Sequence, residues 1–355
     1  MGAIIDSLII ALEGGDDLTL LHKSRESYNQ LMLAKLQSHI ASAECAGHSD
    51  IPLIASNLSE KHLLRLATAP ETFSRLSDGE CSPSAILSFL RYSLQAEFAI
   101  TRSLPCKETL WTALGDVRID PSIAGESRIN YVAQCLGSST VPIDVKSPYC
   151  QHLNALKEQY TEYPPTELCQ LLESLSSAWH AIGATQRTRL EIIALFFRSV
   201  VFRYNPKYQG YGSSSSVSHF GRAVFRNTHL AGFVNVVEGL LHESVHAAIN
   251  VIDLSESCYH GGPEIHTRTC TSPWTGNLLS PRTYFHAVLV WYSLKLFWSK
   301  ALGTSWFDPA DVSARYDMAV SGFRINKIAD ELMPHAHFFP HDSLELIASL
   351  AERAH

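Results

Sequence analysis

The residues with the clearest chemical meaning are His242, Glu243 and His246, spaced as HExxH within VNVVEGLLHESVHAAINVI. In a helix, positions i and i+4 lie one turn apart on the same face, so both imidazoles can be presented to one metal ion. Glu243 lies about 100° further round the helix, where it can act as a base on a metal-bound water or order a ligand. A metal site needs a third protein ligand. The continuation HExxHxxGxxH is absent, because Ile249 and Ile252 stand where Gly and His are required. Glu264 is near the spacing at which a second helix supplies a carboxylate, but YHGGPEIHT reads as a loop. His260, His266 and His286 are the other candidates. Of these, His286 sits in a helix-like apolar run, YFHAVLVWYSLKLFW.

Histidine is also abundant here: 17 in 355 residues, with seven of them between His219 and His286. A second group, His335, His337 and His341 in MPHAHFFPHD, falls in a Pro-rich loop and is expected to line a site rather than hold a separate metal. Cys258 and Cys270 flank the main cluster and read as structural thiols.

Several elements must position these groups. Ser82-Pro83, Pro164-Pro165 and Asp308-Pro309 each open an amphipathic run, the pattern of a capped helix with proline in its first turn. The run after Asp308-Pro309 reads as one helix through ADVSARYDMAVSGFRINKIADELM, and Asp342 or Ser343 is expected to cap a last helix, LELIASLAERA. EIIALFFRSVVFRY is rich in β-branched and aromatic residues and reads as a buried strand or a helix running into one. GRAVFRN suits a short strand, and the Ser-rich stretch before it an ordered loop. Residues 104 to 150 carry Pro105, Pro121, Pro142 and Pro148 and read as loops and short strands, a candidate seam. The expectation is a mainly α protein with a small β component. A helical N-terminal region, 1–185, is a candidate peptide-binding part, and 186–355 is the metal-binding catalytic part. The boundary is soft enough for a single domain.

Composition narrows the function. With 46% hydrophobic and 18% charged residues the chain can bury a large core, which excludes disorder throughout. A net charge of −7 with no basic block argues against nucleic-acid binding, which depends on phosphate-neutralising cations. No pair of the eight cysteines forms CxxC, and the expectation is reduced thiols in a cytoplasmic protein. MGAIIDSLIIALEGG lacks a basic n-region, and Asp6 stands where myristoylation after Gly2 needs Ser or Thr, so neither a signal peptide nor a lipid anchor is expected. No run is long and apolar enough to span a bilayer.

HESVHAAINVIDL followed by SPWTGNLLSPRTYFHAVLVWYSLKLFW resembles the HExxH-motif peptide-modification proteins of natural-product gene clusters. Ser272-Pro273-Trp274, Pro281-Arg282 and His286 match that family's pattern, as does GSSSSVSHFGRAVF, and the likeness covers roughly residues 190 to 300. Thr275 stands where members often carry Arg. The resemblance implies an iron(II)- and α-ketoglutarate-dependent dioxygenase that hydroxylates a β-carbon in a ribosomally made peptide, with O₂ consumed and succinate formed. It implies three facial ligands with positions left open for the keto-acid and O₂. His242, His246 and His286 then supply the metal face, with Glu243 or Glu264 as the carboxylate alternative. The distal carboxylate of the keto-acid calls for a cation. Arg282, four residues before His286, is preferred, Arg222 and Arg226 are alternatives, and Ser216 and Ser218 are hydroxyl donors. Trp274 and Trp291 either wall the pocket or serve as core aromatics. The implied partner is a precursor peptide with its leader, not a nucleic acid or membrane.

Two other functions compete. A zinc metallopeptidase would use Glu243 as general base toward a zinc-bound water. A non-catalytic helical binding protein would carry the HExxH by accident. The intact motif weighs against the latter, and the Ser-Pro-Trp, Pro-Arg and His286 set against the former.

Overall fold

The computed structural model describes residues 3–77, 81–102, 106–121, 127–150, 160–325 and 328–354. Gly2 and Pro105 lie outside them. Helix accounts for 62% of the described residues and strand for 11%, so the protein is mainly α with a small β component. No helix among the described residues is long and apolar enough to cross a membrane.

The chain forms two compact units. One gathers Met1–Arg25, Ser176–Phe196 and Gly232–His355; the other gathers Glu26–Leu175 and Phe197–Ala231. Each is assembled from separated stretches, so no single cut in sequence describes them, and residues 104 to 150 belong wholly to the second unit.

The first unit is helical and holds the HExxH. Its centre is two long helices, Phe233–Glu256 and Pro281–Ala301, packed on each other. Helix Arg187–Phe196 packs on the former, and helices Pro309–Ser321 and His341–Arg353 on the latter. The apolar N-terminal segment is a helix, Ala3–Glu13, that buries Ile5, Leu8, Ile9 and Leu12 against this group. Ser280 and Pro281 set where the second long helix begins. The Ser280 side chain accepts from Thr283 N, and proline fills the first turn, where its missing N–H costs nothing. Asp308 caps helix Pro309–Ser321 in the same way, accepting from Ala310 N at 2.8 Å, a cap worth about 1 kcal/mol.

Two helix boundaries differ from expectation. The run after Asp308 stops at Ser321, with helix Ile328–Leu332 and a 3₁₀ turn Met333–Phe338 following. A Cβ at Gly322 would collide with the Trp274 indole, so the glycine lets that ring lie on the backbone where the helix ends. The last helix starts at His341 after Pro340; Ser343 instead donates to Cys258 O at 2.8 Å.

The second unit carries the two larger sheets. Leu110–Trp111, Val117–Pro121 and Ser127–Val132 form an antiparallel three-stranded sheet. Its Leu110, Val117 and Ile119 bury against Ala96 and Ala99 of helix Pro83–Arg102. A four-stranded sheet runs in the order Ile143–Asp144, Ser199–Arg203, Arg222–Arg226, Gly212–Ser215. The first three strands are parallel and the last is an antiparallel edge. The segment from Leu190 is a helix running into a strand, and the start of the serine run is a strand rather than a loop.

Candidate metal centre

Four polar side chains form a stripe on the otherwise apolar HExxH helix. Glu238, His242, His246 and Asn250 follow at i, i+4 steps, so each lies one turn beyond the last. The remaining faces bury mostly Val, Leu, Ala and Ile, together with Glu243 and Ser244.

His242 Nε2 and His246 Nε2 are 3.2 Å apart. Two nitrogens bound to one ion at about 2.1 Å are separated by about 3.0–3.4 Å, so the pair has the spacing of two ligands on a single metal. His286 reaches the pair from helix Pro281–Ala301 at the other nitrogen of His246. The two Nδ1 atoms are 3.2 Å apart and the rings stack with centroids 5.4 Å apart. The three imidazoles therefore form a chain with His246 in the middle.

That arrangement fixes the protons. A ring nitrogen that ligates a metal carries no proton, and the other nitrogen then does. With His246 ligating through Nε2, its Nδ1–H donates to His286 Nδ1, and His286 carries its own proton on Nε2. If both histidines ligated through Nε2, both Nδ1 atoms would be protonated and their hydrogen bond would break. Among the described residues no group of three or more His, Cys, Asp and Glu has the geometry to hold a metal. The structure thus brings all three predicted histidines together, two at ligand spacing and His286 behind the second.

Burial sets their charge. It pushes His246 well below the usual imidazole range, with His242, His286 and Arg282 adding to the effect. It does the same to His286, with help from Arg282. Neutral imidazole is the form a metal requires. Two buried atoms of this neighbourhood, Glu243 Oε2 and His286 Nε2, have no hydrogen-bond partner among the described residues. Such atoms are costly unless a ligand, cation or water satisfies them, so the donor set suits a bound group.

Arg282 lies one turn before His286 because the helix begins at Pro281. Its Nη2 donates to Asn250 Oδ1 at 2.7 Å and its Nε to the Tyr259 hydroxyl. Tyr259 in turn hydrogen-bonds the Asp253 carboxylate, which burial raises above its usual range. No carboxylate of the described residues lies within ion-pair reach of Arg282. The guanidinium is held directly by the Asn250 amide and the Tyr259 hydroxyl and feels the Asp253 carboxylate through Tyr259, an arrangement in which its fork can still receive an anion.

The other expected residues fall elsewhere. His260, Glu264 and His266 are exposed, the last two in a 3₁₀ turn, Pro263–His266. His335 meets Thr269 Oγ1 at 3.1 Å, His337 lies on the Phe338 ring, and His341 pairs with Glu345. Cys258 and Cys270 are buried thiols, pushed up to about 12 and about 11 by burial, and are protonated at neutral pH. Ser272-Pro273-Trp274 forms the turn between strands Cys270–Thr271 and Leu278–Leu279, with Ser272 N donating to Asn277 O at 2.9 Å. Trp274 is buried, donates to Ala319 O at 2.9 Å and stacks on Trp291, a core role. Asn250, Tyr259 and Asp253 were not among the sequence candidates. The i, i+4 polar stripe points to Asn250, whereas no spacing marks Tyr259.

Ser216, Ser218, Arg222 and Arg226 belong to the second unit. Ser218 N donates to Ser216 Oγ at 3.2 Å, and Arg226 lies 3.8 Å from the Tyr208 ring centroid. Arg222 pairs with Glu71 at 2.7 Å, and His219 Nε2 is 3.7 Å from the same carboxylate oxygen. Burial, with Arg222 adding, pushes His219 from 6.5 down to about 4. The unfolded chain then takes up this proton first, so stability is intact above about pH 6.5 and falls as pH drops toward 4. The loss approaches about 3 kcal/mol at about 1.4 kcal/mol per pH unit. Urea midpoints measured from pH 7 to pH 4 should fall less steeply in His219→Gln than in the wild type; equal slopes would show that other groups carry the acid sensitivity.

No protein-family model matches the chain, and no curated protein matches it.

Proposed function

We propose that this protein is an iron(II)- and α-ketoglutarate-dependent oxygenase. It hydroxylates a β-carbon of a residue in a ribosomally synthesised precursor peptide, in the cytoplasm. The supporting observation is Arg282, a cation fixed by Asn250 and Tyr259, without a carboxylate partner among the described residues, beside imidazoles at metal-ligand spacing. α-Ketoglutarate is a dianion. One carboxylate belongs at the metal and the other needs a cation of this kind, whereas peptide hydrolysis gives Arg282 no evident task.

His242 and His246 would hold the ion through Nε2, with His286 as the partner of the outer nitrogen of His246. Bound iron supplies the redox chemistry that couples α-ketoglutarate and O₂ to peptide hydroxylation, yielding succinate and CO₂. Arg282 receives the distal carboxylate in its fork, and its two neutral anchors keep the guanidinium from turning away. Glu243 Oε2 accepts a donor from bound peptide or an ordered water. The resemblance of HESVHAAINVIDL and SPWTGNLLSPRTYFHAVLVW to the HExxH peptide-modification proteins supports the same reading.

The protein supplied with Fe(II), α-ketoglutarate, O₂ and candidate peptides should release succinate and add one oxygen to the peptide. Arg282→Ala should raise the α-ketoglutarate concentration for half-saturation roughly 10- to 100-fold, the loss of a bidentate charged contact. An unchanged requirement removes Arg282 from that role. The second reading, a zinc metallopeptidase, draws on the unpartnered oxygen of Glu243. Tight zinc with peptide cleavage and no need for α-ketoglutarate would establish it instead.

A further inference from the structure

Strand alternation places a charged row on one face of the four-stranded sheet. Successive side chains of a strand point to opposite faces. Phe202 and Phe225 stack on one face, with Val200 and Ala223 buried beside them. The register pairs Ser199 with Arg222, Val201 with Val224 and Val224 with Ser214, so Arg203, Arg222, Val224 and Ser214 share the other face. These four, with Ser216 and His219, line a cavity of about 250 Å³.

The cavity is rich in unmatched donors. Arg222 is 2% exposed. Its Nη1 is taken by Glu71, its plane faces the Tyr149 ring, and its Nε and Nη2 have no hydrogen-bond partner among the described residues. These two atoms form the edge of the guanidinium that meets a carboxylate or phosphate through two parallel hydrogen bonds. Glu71 is shared: Arg75 lies 3.8 Å from its other oxygen and His219 3.7 Å from the same one. His219 Nδ1 is buried without a partner as well. Asp144 is nearby but burial raises it, and its oxygens already accept from Ser147 and from the Lys146 N–H. Burying the open Arg222 fork beside a carboxylate already shared with Arg75 and His219 is unfavourable unless an acceptor completes the set.

We propose that this pocket binds one small oxyanion, a carboxylate or a phosphate group, at the Arg222 fork with hydroxyl donation from Ser214 and Ser216. The site lies within the second unit and is independent of the metal-centre reading, since its occupancy needs neither metal nor turnover.

The test is anion binding by the metal-free full chain, followed by calorimetry and thermal unfolding at constant ionic strength. Inorganic phosphate and succinate are compared with chloride. One of the two should bind saturably at one site and raise the melting temperature; phosphate alone identifies a phosphoryl ligand and succinate alone a carboxylate. Ser214→Val together with Ser216→Ala should weaken that binding roughly tenfold or more, the cost of losing hydrogen bonds to a charged group. Arg222→Lys keeps the charge and loses the fork, and should abolish it. Ser214 and Ser216 are exposed, so the serine variant keeps the test open if Arg222→Lys does not fold. No saturable effect beyond chloride, or binding unaltered by the serine changes, overturns the proposal.

Discussion

If the proposed metal binds here, His246→Ala should weaken its binding more than any other single substitution. His246 is the middle of the imidazole chain: Nε2 faces His242 and Nδ1 faces His286, each at 3.2 Å. Alanine removes one ligand and strands both neighbours. The affinity loss should exceed the roughly 10- to 100-fold that an outer-shell partner is worth. His286→Ala is the informative companion. If His286 only steadies the His246 proton, its loss should stay within roughly 10- to 100-fold; if it ligates, the two variants should fall together. Metal content after gel filtration and chelator competition gives the ranking, with circular dichroism to confirm folding. Wild-type metal content in His246→Ala would remove this cluster from consideration as a metal centre.

Arg189→Met should produce the largest loss of stability. The side chain is 2% exposed and has no carboxylate partner among the described residues. Burial pushes its pKa down to about 9, still charged at neutral pH. Its charge is balanced by oxygens: Leu12 O at 2.8 Å and Ser293 O at 3.1 Å from Nη2, Ser293 Oγ at 2.5 Å, and Gln186 Oε1 at 3.1 Å. Leu12 O lies at the negative end of helix Ala3–Glu13, where a cation is favoured. Gln186 Nε2 completes the junction by donating to Ala11 O and Leu12 O. Methionine fills similar volume but removes the hydrogen bonds to Ser293 and Gln186 and leaves Leu12 O with Gln186 Nε2 alone, at a cost of about 3 kcal/mol. Arg189→Lys, which keeps charge without the fork, should fall between. The urea midpoint measures this, and a loss under about 1 kcal/mol would contradict the clamp.

Much of the HExxH helix was legible because its signals are local. Two histidines at i, i+4 with apolar flanks specify one helix face, and Ser280-Pro281 sets the start that brings Arg282 into phase with His286. The proline-opened helices at Pro83, Pro165 and Pro309 were legible for the same reason. The order of contact among the imidazoles was not, because it depends on how helix Pro281–Ala301 is rotated against its neighbour. Tyr259 and Asp253 meet Arg282 through a helix end and the residues after it, where no periodicity operates. The break at Gly322 answers to Trp274, far away in sequence. Ser213 to Ser215 form a strand through pairing with Ala223 to Phe225, although a run of serines carries no strand signal of its own.

The first helix to be synthesised in the described chain is among the last that can be completed. Lys300 Nζ donates to Glu13 O across 287 residues of sequence, and Ile4 N meets Glu256 across 252. Arg189, Tyr292 and Lys300 all anchor the Leu12–Glu13 end, and all are translated long afterwards. At about 5–20 residues per second, helix Ala3–Glu13 waits roughly 15–60 s with Ile5, Leu8, Ile9 and Leu12 lacking their final partners. During that interval the second unit's stretch Glu26–Leu175 has already emerged. Helix Ala3–Glu13 therefore stays uncovered on its apolar side until the partners that complete it, up to Lys300, have been made.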